Sequence, residues 1–74
     1  MRLTVCRVER MRQGLTSTAK LARTLGIPQG RLRNWESGQE RRYLSADEVE
    51  RLAGALCVAP ETIADGRGAP VLFV

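Results

Sequence analysis

Residues 21–38, LARTLGIPQGRLRNWESG, contain two short helical patterns that meet at a glycine. This junction constrains the fold more than any other stretch. Leu21, Ala22 and Leu25 recur at helical spacing, and Gly26 follows where a helix ends best on a residue that tolerates left-handed dihedrals. Ile27 is apolar enough to plug the angle between two helices, and Pro28 suits a first turn whose N–H has no partner. A second helix is predicted from about Gln29 to Ser37, stopped by Gly38. At ~100° per residue, Pro28, Leu32, Trp35 and Glu36 fall on one side. Gly30, Arg33, Asn34 and Ser37 fall on the other, with Gln29 at the leading end. The amide and guanidinium groups of that second side have the chemistry to read base edges, since Arg matches guanine bidentately and Asn or Gln matches adenine.

The flanking stretches supply a body for these helices. Residues 1–5 favour an extended start. A helix is predicted from about Cys6 to Gln13, with Val8 and Met11 facing inward and Leu15 following a break at Gly14. Ser17 is the expected N-cap of the next helix. Residues 38–44 read as a loop, with Tyr43 expected to pack on the bundle's lower edge. Ser45 and Glu48 then form a capping box, and Val49, Leu52, Ala53 and Leu56 make an inward stripe. Pro60 opens a last short helix, with Ile63 inward and Gly66 closing it. The tail, RGAPVLFV over residues 67–74, has the composition of a β-strand, and a strand needs a partner edge. Residues 3–5 of the same chain and the equivalent tail of a second subunit both qualify.

Charge is distributed unevenly. Residues 1–43 carry ten basic side chains against three acidic ones, a net of +7. Residues 44–74 carry two basic against five acidic, a net of −3. A molecule polarised this way approaches a polyanion with its N-terminal half leading. Cys6 and Cys57 are expected to be small buried apolar side chains in a reducing cytosol, too far apart for a metal site. No apolar run approaches the ~20 residues of a membrane span. The expectation is one domain over residues 1–74, cytoplasmic in a bacterial or phage-infected cell and on the nucleoid when bound to DNA.

The LAxxLGI opening, the LRNWESG ending and the later LAGAL segment together resemble the helix-turn-helix core of the phage repressor and Cro family of DNA-binding domains, over roughly residues 8–66. The resemblance implies an all-α, five-helix bundle of the lambda-repressor type, with room for short β-strands at the chain ends. It places the helix-turn-helix at residues 17–38 and implies operator binding as a dimer. It also implies that Arg12 pairs with Glu36 and clamps the first helix to the recognition helix. Gln29, Gly30, Arg33 and Asn34 then occupy the base-reading positions. Ser17, Thr18, Arg31, Arg41 and Arg42 fall to phosphates.

Three departures stand out. Thr18 replaces a Gln that braces the recognition helix in the family. Gly30 has no side chain to read with, so either the backbone approaches the groove more closely or reading shifts to Gln29, Arg31, Arg33 and Asn34. Cys57 replaces the glycine commonly found after the fourth helix, implying a differently shaped end.

The leading functional reading is a sequence-specific double-stranded DNA-binding transcriptional regulator, a repressor acting as a homodimer on a palindromic operator. Val71, Leu72, Phe73 and Val74 are its candidate dimer contact. The alternative is the antitoxin of a toxin–antitoxin pair, which binds its toxin through the same tail. An enzyme is the poorest reading: the chain has no His, no metal cluster, no phosphate-cradling loop and no nucleophile–base pair. No cofactor is expected.

Overall fold

A computed structural model of the protein describes residues 3–39 and 42–73. Among the described residues are five helices: α1 (Val5–Arg12), α2 (Thr18–Leu25), α3 (Gln29–Glu36), α4 (Ala46–Leu56) and α5 (Pro60–Ile63). Their boundaries follow from local chemistry. Thr4 caps α1 by accepting the Arg7 N–H, and Ser17 caps α2 by accepting that of Lys20. At α4 the capping box is complete, with Ser45 and Glu48 each accepting the other's backbone N–H. Gly26 ends α2 at φ 71°, which lets the chain turn into α3.

The helices enclose a core of Leu21, Ala22, Leu25, Ile27, Leu32, Trp35, Leu44, Val49, Leu52, Ala53, Leu56, Ile63 and Ala64, closed by Cys6. Trp35 lies at its centre, fully buried. A buried indole N–H needs an acceptor, and Trp35 Nε1 donates to the Gly68 carbonyl at 2.8 Å. The same carbonyl accepts the Leu44 N–H at 3.0 Å. A turn held by the Asp65 carboxylate, which accepts the N–H groups of Arg67 and Ala69 at 2.8 and 3.0 Å, presents that carbonyl.

The tail pairs within its own chain. Val5 N–H donates to Val71 O at 2.9 Å and Phe73 N–H to Leu3 O at 2.8 Å, making an antiparallel bridge between Thr4 and Leu72. A second bridge joins Ala64 and Pro70. Between the two partner edges left open by the sequence, backbone pairing takes residues 3–5. The side chains of Leu3, Leu72 and Phe73 still face solvent, whereas Val71 is half-buried. Val74 lies outside the described residues.

Several expectations are corrected. Met11 is exposed, and the inner face of α1 is made by Cys6 and Arg10 instead. The Thr4 cap starts the helix one residue earlier than predicted, and contacts to Glu36 turn Cys6 and Arg10 inward. Tyr43 is exposed rather than packed on the bundle edge. The last helix stops at Ile63, not Gly66. Cys57 is exposed, and it adopts the glycine-like left-handed conformation, φ 57° and ψ 40°. The end of α4 therefore keeps the shape that glycine usually provides.

Three glycine-related substitutions test this architecture by chemical denaturation. Gly68 has φ 87°, and a Cβ there would lie 2.0 Å from the Leu44 carbonyl oxygen, so Gly68→Ala should cost roughly 2–4 kcal/mol. Gly54 lies inside α4 with open space around it, so Gly54→Ala should gain about 0.5–1 kcal/mol. Cys57→Gly should relieve the left-handed strain and gain up to about 1 kcal/mol.

Candidate nucleic-acid interface

Helix α3 divides sharply. Leu32, Trp35 and Glu36 are buried, while Gln29, Gly30 and Arg33 are exposed and Asn34 is half-buried on the outer side. A Cβ on Gly30 would meet nothing within 4 Å. Intramolecular packing therefore does not demand this glycine, which leaves a smooth stretch in the outer face at the first turn.

The C-terminal end of α3 is held by a buried polar cluster. Arg10 Nε donates to Glu36 Oε2 at 2.8 Å, with both side chains more than nine-tenths buried. The Cys6 thiol donates to the same oxygen at 3.5 Å, and Thr4 Oγ1 donates to the Glu36 carbonyl at 2.7 Å. Burial, together with the adjacent Glu36 carboxylate, pushes the Cys6 thiol far up, so it stays protonated and able to donate. Arg10 Nη1 also donates to the Leu15 carbonyl at 2.7 Å, tying the turn before α2 into the cluster.

The partner of Glu36 is thus Arg10 and not Arg12. Arg12 is largely exposed and sits 3.5 Å from Glu9 on its own helix. At ~100° per residue, Arg10 returns to within about 40° of Cys6, whereas Arg12 lies about 120° away on the outer side. Sequence reasoning missed Arg10 and Thr4. The available signal was that Cys6 and Arg10 are four residues apart, one helical turn after a Thr capable of capping. It also missed Gln13, whose Nε2 donates to the Leu56 carbonyl at 2.7 Å and satisfies the end of α4.

Between α1, the start of α2 and the end of α3 lies a cleft of about 480 Å³, lined by Arg7, Thr16, Thr18, Arg33, Asn34 and Gln39 among others. Thr18 and Asn34, assigned separately to phosphate and base, therefore border one depression beside the N-terminus of α2, an end that favours anions. Ser17 Oγ accepts the Lys20 N–H at 3.2 Å and is occupied as a cap. Arg42 is exposed in the loop after α3, and Arg41 lies outside the described residues.

Arg31 departs from its expected place at a phosphate. Its Nη1 donates to Glu48 Oε2 at 2.5 Å and its Nη2 to the Tyr43 carbonyl at 3.2 Å. The guanidinium bends back along the protein because two anionic or carbonyl acceptors lie within its reach there.

A family model described as helix-turn-helix matches residues 7–63, which include α1 from its third residue through the end of α5. No curated protein and no solved structure matches the chain.

The two candidate clamps differ in measurable cost. Arg10→Met strands a buried carboxylate and should destabilise by about 3–5 kcal/mol. Arg12→Ala removes only an exposed pair and should cost less than about 1 kcal/mol. Urea unfolding of both variants checks the assignment, and equal losses would return Arg12 to consideration.

Proposed function

We propose, from the premise that this chain belongs to the Cro/C1-type helix-turn-helix family, that it represses transcription by binding a near-palindromic operator as a homodimer. Family membership makes it a DNA-binding transcription regulator in general; sign, operator symmetry and dimer are the finer reading. The observation that carries this reading is the two-sidedness of α3. One side is anchored through Trp35 and Glu36, and the other offers Gln29, Arg33 and Asn34 to solvent. A helix whose inner side is immobilised presents its outer side chains in one register, which base readout requires.

In this reading Arg33 and Asn34 contact base edges, and Gln29 reaches them from the leading end. The bare backbone at Gly30 lets the first turn sit deeper in the major groove. Thr18 and the α2 N-terminus take a phosphate at one side, and Arg42 takes another. Arg–phosphate contacts dominate affinity, so binding falls steeply with salt. The dimer forms through the apolar side chains of Leu72 and Phe73 beside Leu3, the exposed face of the bridged chain ends. Two recognition helices then lie ~34 Å apart, one turn of duplex.

Selection of bound sequences from a random duplex pool tests the proposal. Paired half-sites one turn apart are expected, and failure to enrich any sequence would sink it. Against the selected duplex, Asn34→Ala and Arg33→Ala should each cost about 1–3 kcal/mol and relax one position of the site. Arg42→Ala should weaken all duplexes alike and flatten the salt dependence by about one unit of slope. A toxin copurifying in stoichiometric amount from the native host, and lost on Phe73→Ser, would instead assign the tail to a toxin.

A further inference from the structure

The three residues between the loop after α3 and the start of α4 are each held by a different part of the molecule. The Tyr43 carbonyl accepts from Arg31 on α3, at 3.2 Å. The Leu44 N–H donates to the Gly68 carbonyl, at 3.0 Å. The Ser45 N–H donates to Glu48 Oε1 on α4, at 2.9 Å. Glu48 links two of these three restraints, because its other oxygen takes the Arg31 guanidinium at 2.5 Å. Arg42 immediately precedes the restrained residues, so its backbone leaves a fixed point.

Burial acts upward on the Glu48 carboxyl. The Ser45 N–H and the Arg31 guanidinium outweigh it and hold the group below the usual carboxylate range, so it is ionised at neutral pH. One ionised carboxylate therefore joins α3, the loop and α4 at a single point.

We propose that Glu48, on a helix to which no DNA contact is assigned, is a positioning residue for DNA binding: through Arg31 it sets where Arg42 stands relative to α3. The inference rests on the DNA-binding reading above. It also makes Arg31 a brace and not a phosphate ligand. The two roles give opposite signs when Glu48 loses its charge. If Arg31 were a phosphate ligand restrained by Glu48, neutralising Glu48 would free it and tighten binding. If the pair is a brace, neutralisation loosens the loop and weakens binding.

The test uses the full chain and two duplexes of equal length, the selected one and a scrambled one, at fixed ionic strength. Glu48→Gln keeps the capping box, since Gln serves at that position as Glu does. Glu50→Gln, on the exposed side of the same helix, is the charge-matched control. Relative to Glu50→Gln, Glu48→Gln should weaken the selected duplex by roughly three- to tenfold, the size expected for one charge-assisted contact. Arg31→Ala should weaken it similarly, and the double variant no further.

A general loss of stability would lower affinity in any background. Positioning of Arg42 would not: with Arg42→Ala already present, Glu48→Gln should have no further effect. Circular dichroism and thermal unfolding confirm that each variant is folded at the assay temperature. Binding by Glu48→Gln equal to or tighter than Glu50→Gln overturns the proposal, as does an undiminished loss in the Arg42→Ala background. Failure of the unmodified chain to prefer the selected duplex overturns the DNA-binding reading itself, and is read before any variant is made.

Discussion

Glu36 is a carboxylate more than nine-tenths buried, and the architecture around α3 follows from that. An ion removed from water costs several kcal/mol unless its lone pairs are met. Here Oε2 is met from α1, by the Arg10 guanidinium and the Cys6 thiol, while Thr4 donates to the backbone carbonyl of the same residue. Directional contacts to one residue fix both the distance and the rotation of α3 against α1. Apolar packing alone would fix the distance and tolerate some rotation, because the hydrophobic effect has no direction. For a helix meant to present a row of side chains, rotation is the more consequential coordinate.

A second restraint acts through Trp35, one residue away. Its indole donates to Gly68, and the same carbonyl takes Leu44. Gly68 belongs to the turn that leads into the tail, and the tail in turn bridges to Thr4, which caps α1 and also bonds Glu36. The chain ends are therefore part of the recognition-helix mounting. Thr4, Glu36, Trp35 and Gly68 form a closed circuit of contacts that passes through both ends of the sequence. It also explains why an apolar tail keeps Leu72 and Phe73 in solvent: its backbone is committed to the mounting, and these side chains lie outside it.

Much of this was legible in the chain itself. The Ser17 and Ser45 caps, the Gly26 turn, the apolar stripe of α4 and the two faces of α3 are written in neighbouring residues, where the rules of capping and helical period apply directly. What escaped was of another kind. The family resemblance assigned Glu36 to Arg12, whereas the rotation of α1 brings Arg10 to it. Arg31 looked free to meet a phosphate because its acceptors, Glu48 and the Tyr43 carbonyl, lie 17 and 12 residues away. Cys57 was expected to reshape the end of α4. The backbone there follows the geometry of the helix terminus, and the side chain accepts a left-handed conformation that glycine would hold without strain.

The sequence by itself determined five helices to within about three residues at each end, the apolar sides of α2, α3 and α4, and that the basic half of the molecule coincides with the helix-turn-helix. Each of these is set by interactions within about one or two helical turns, and local chemistry suffices to read them. Only the tertiary structure decided which arginine neutralises Glu36, which edge receives the tail and where Arg31 points. Those choices depend on rotations of whole helices about their axes. Successive residues of a helix lie ~100° apart, so one rotation about the axis buries Arg10 and leaves Arg12 in solvent.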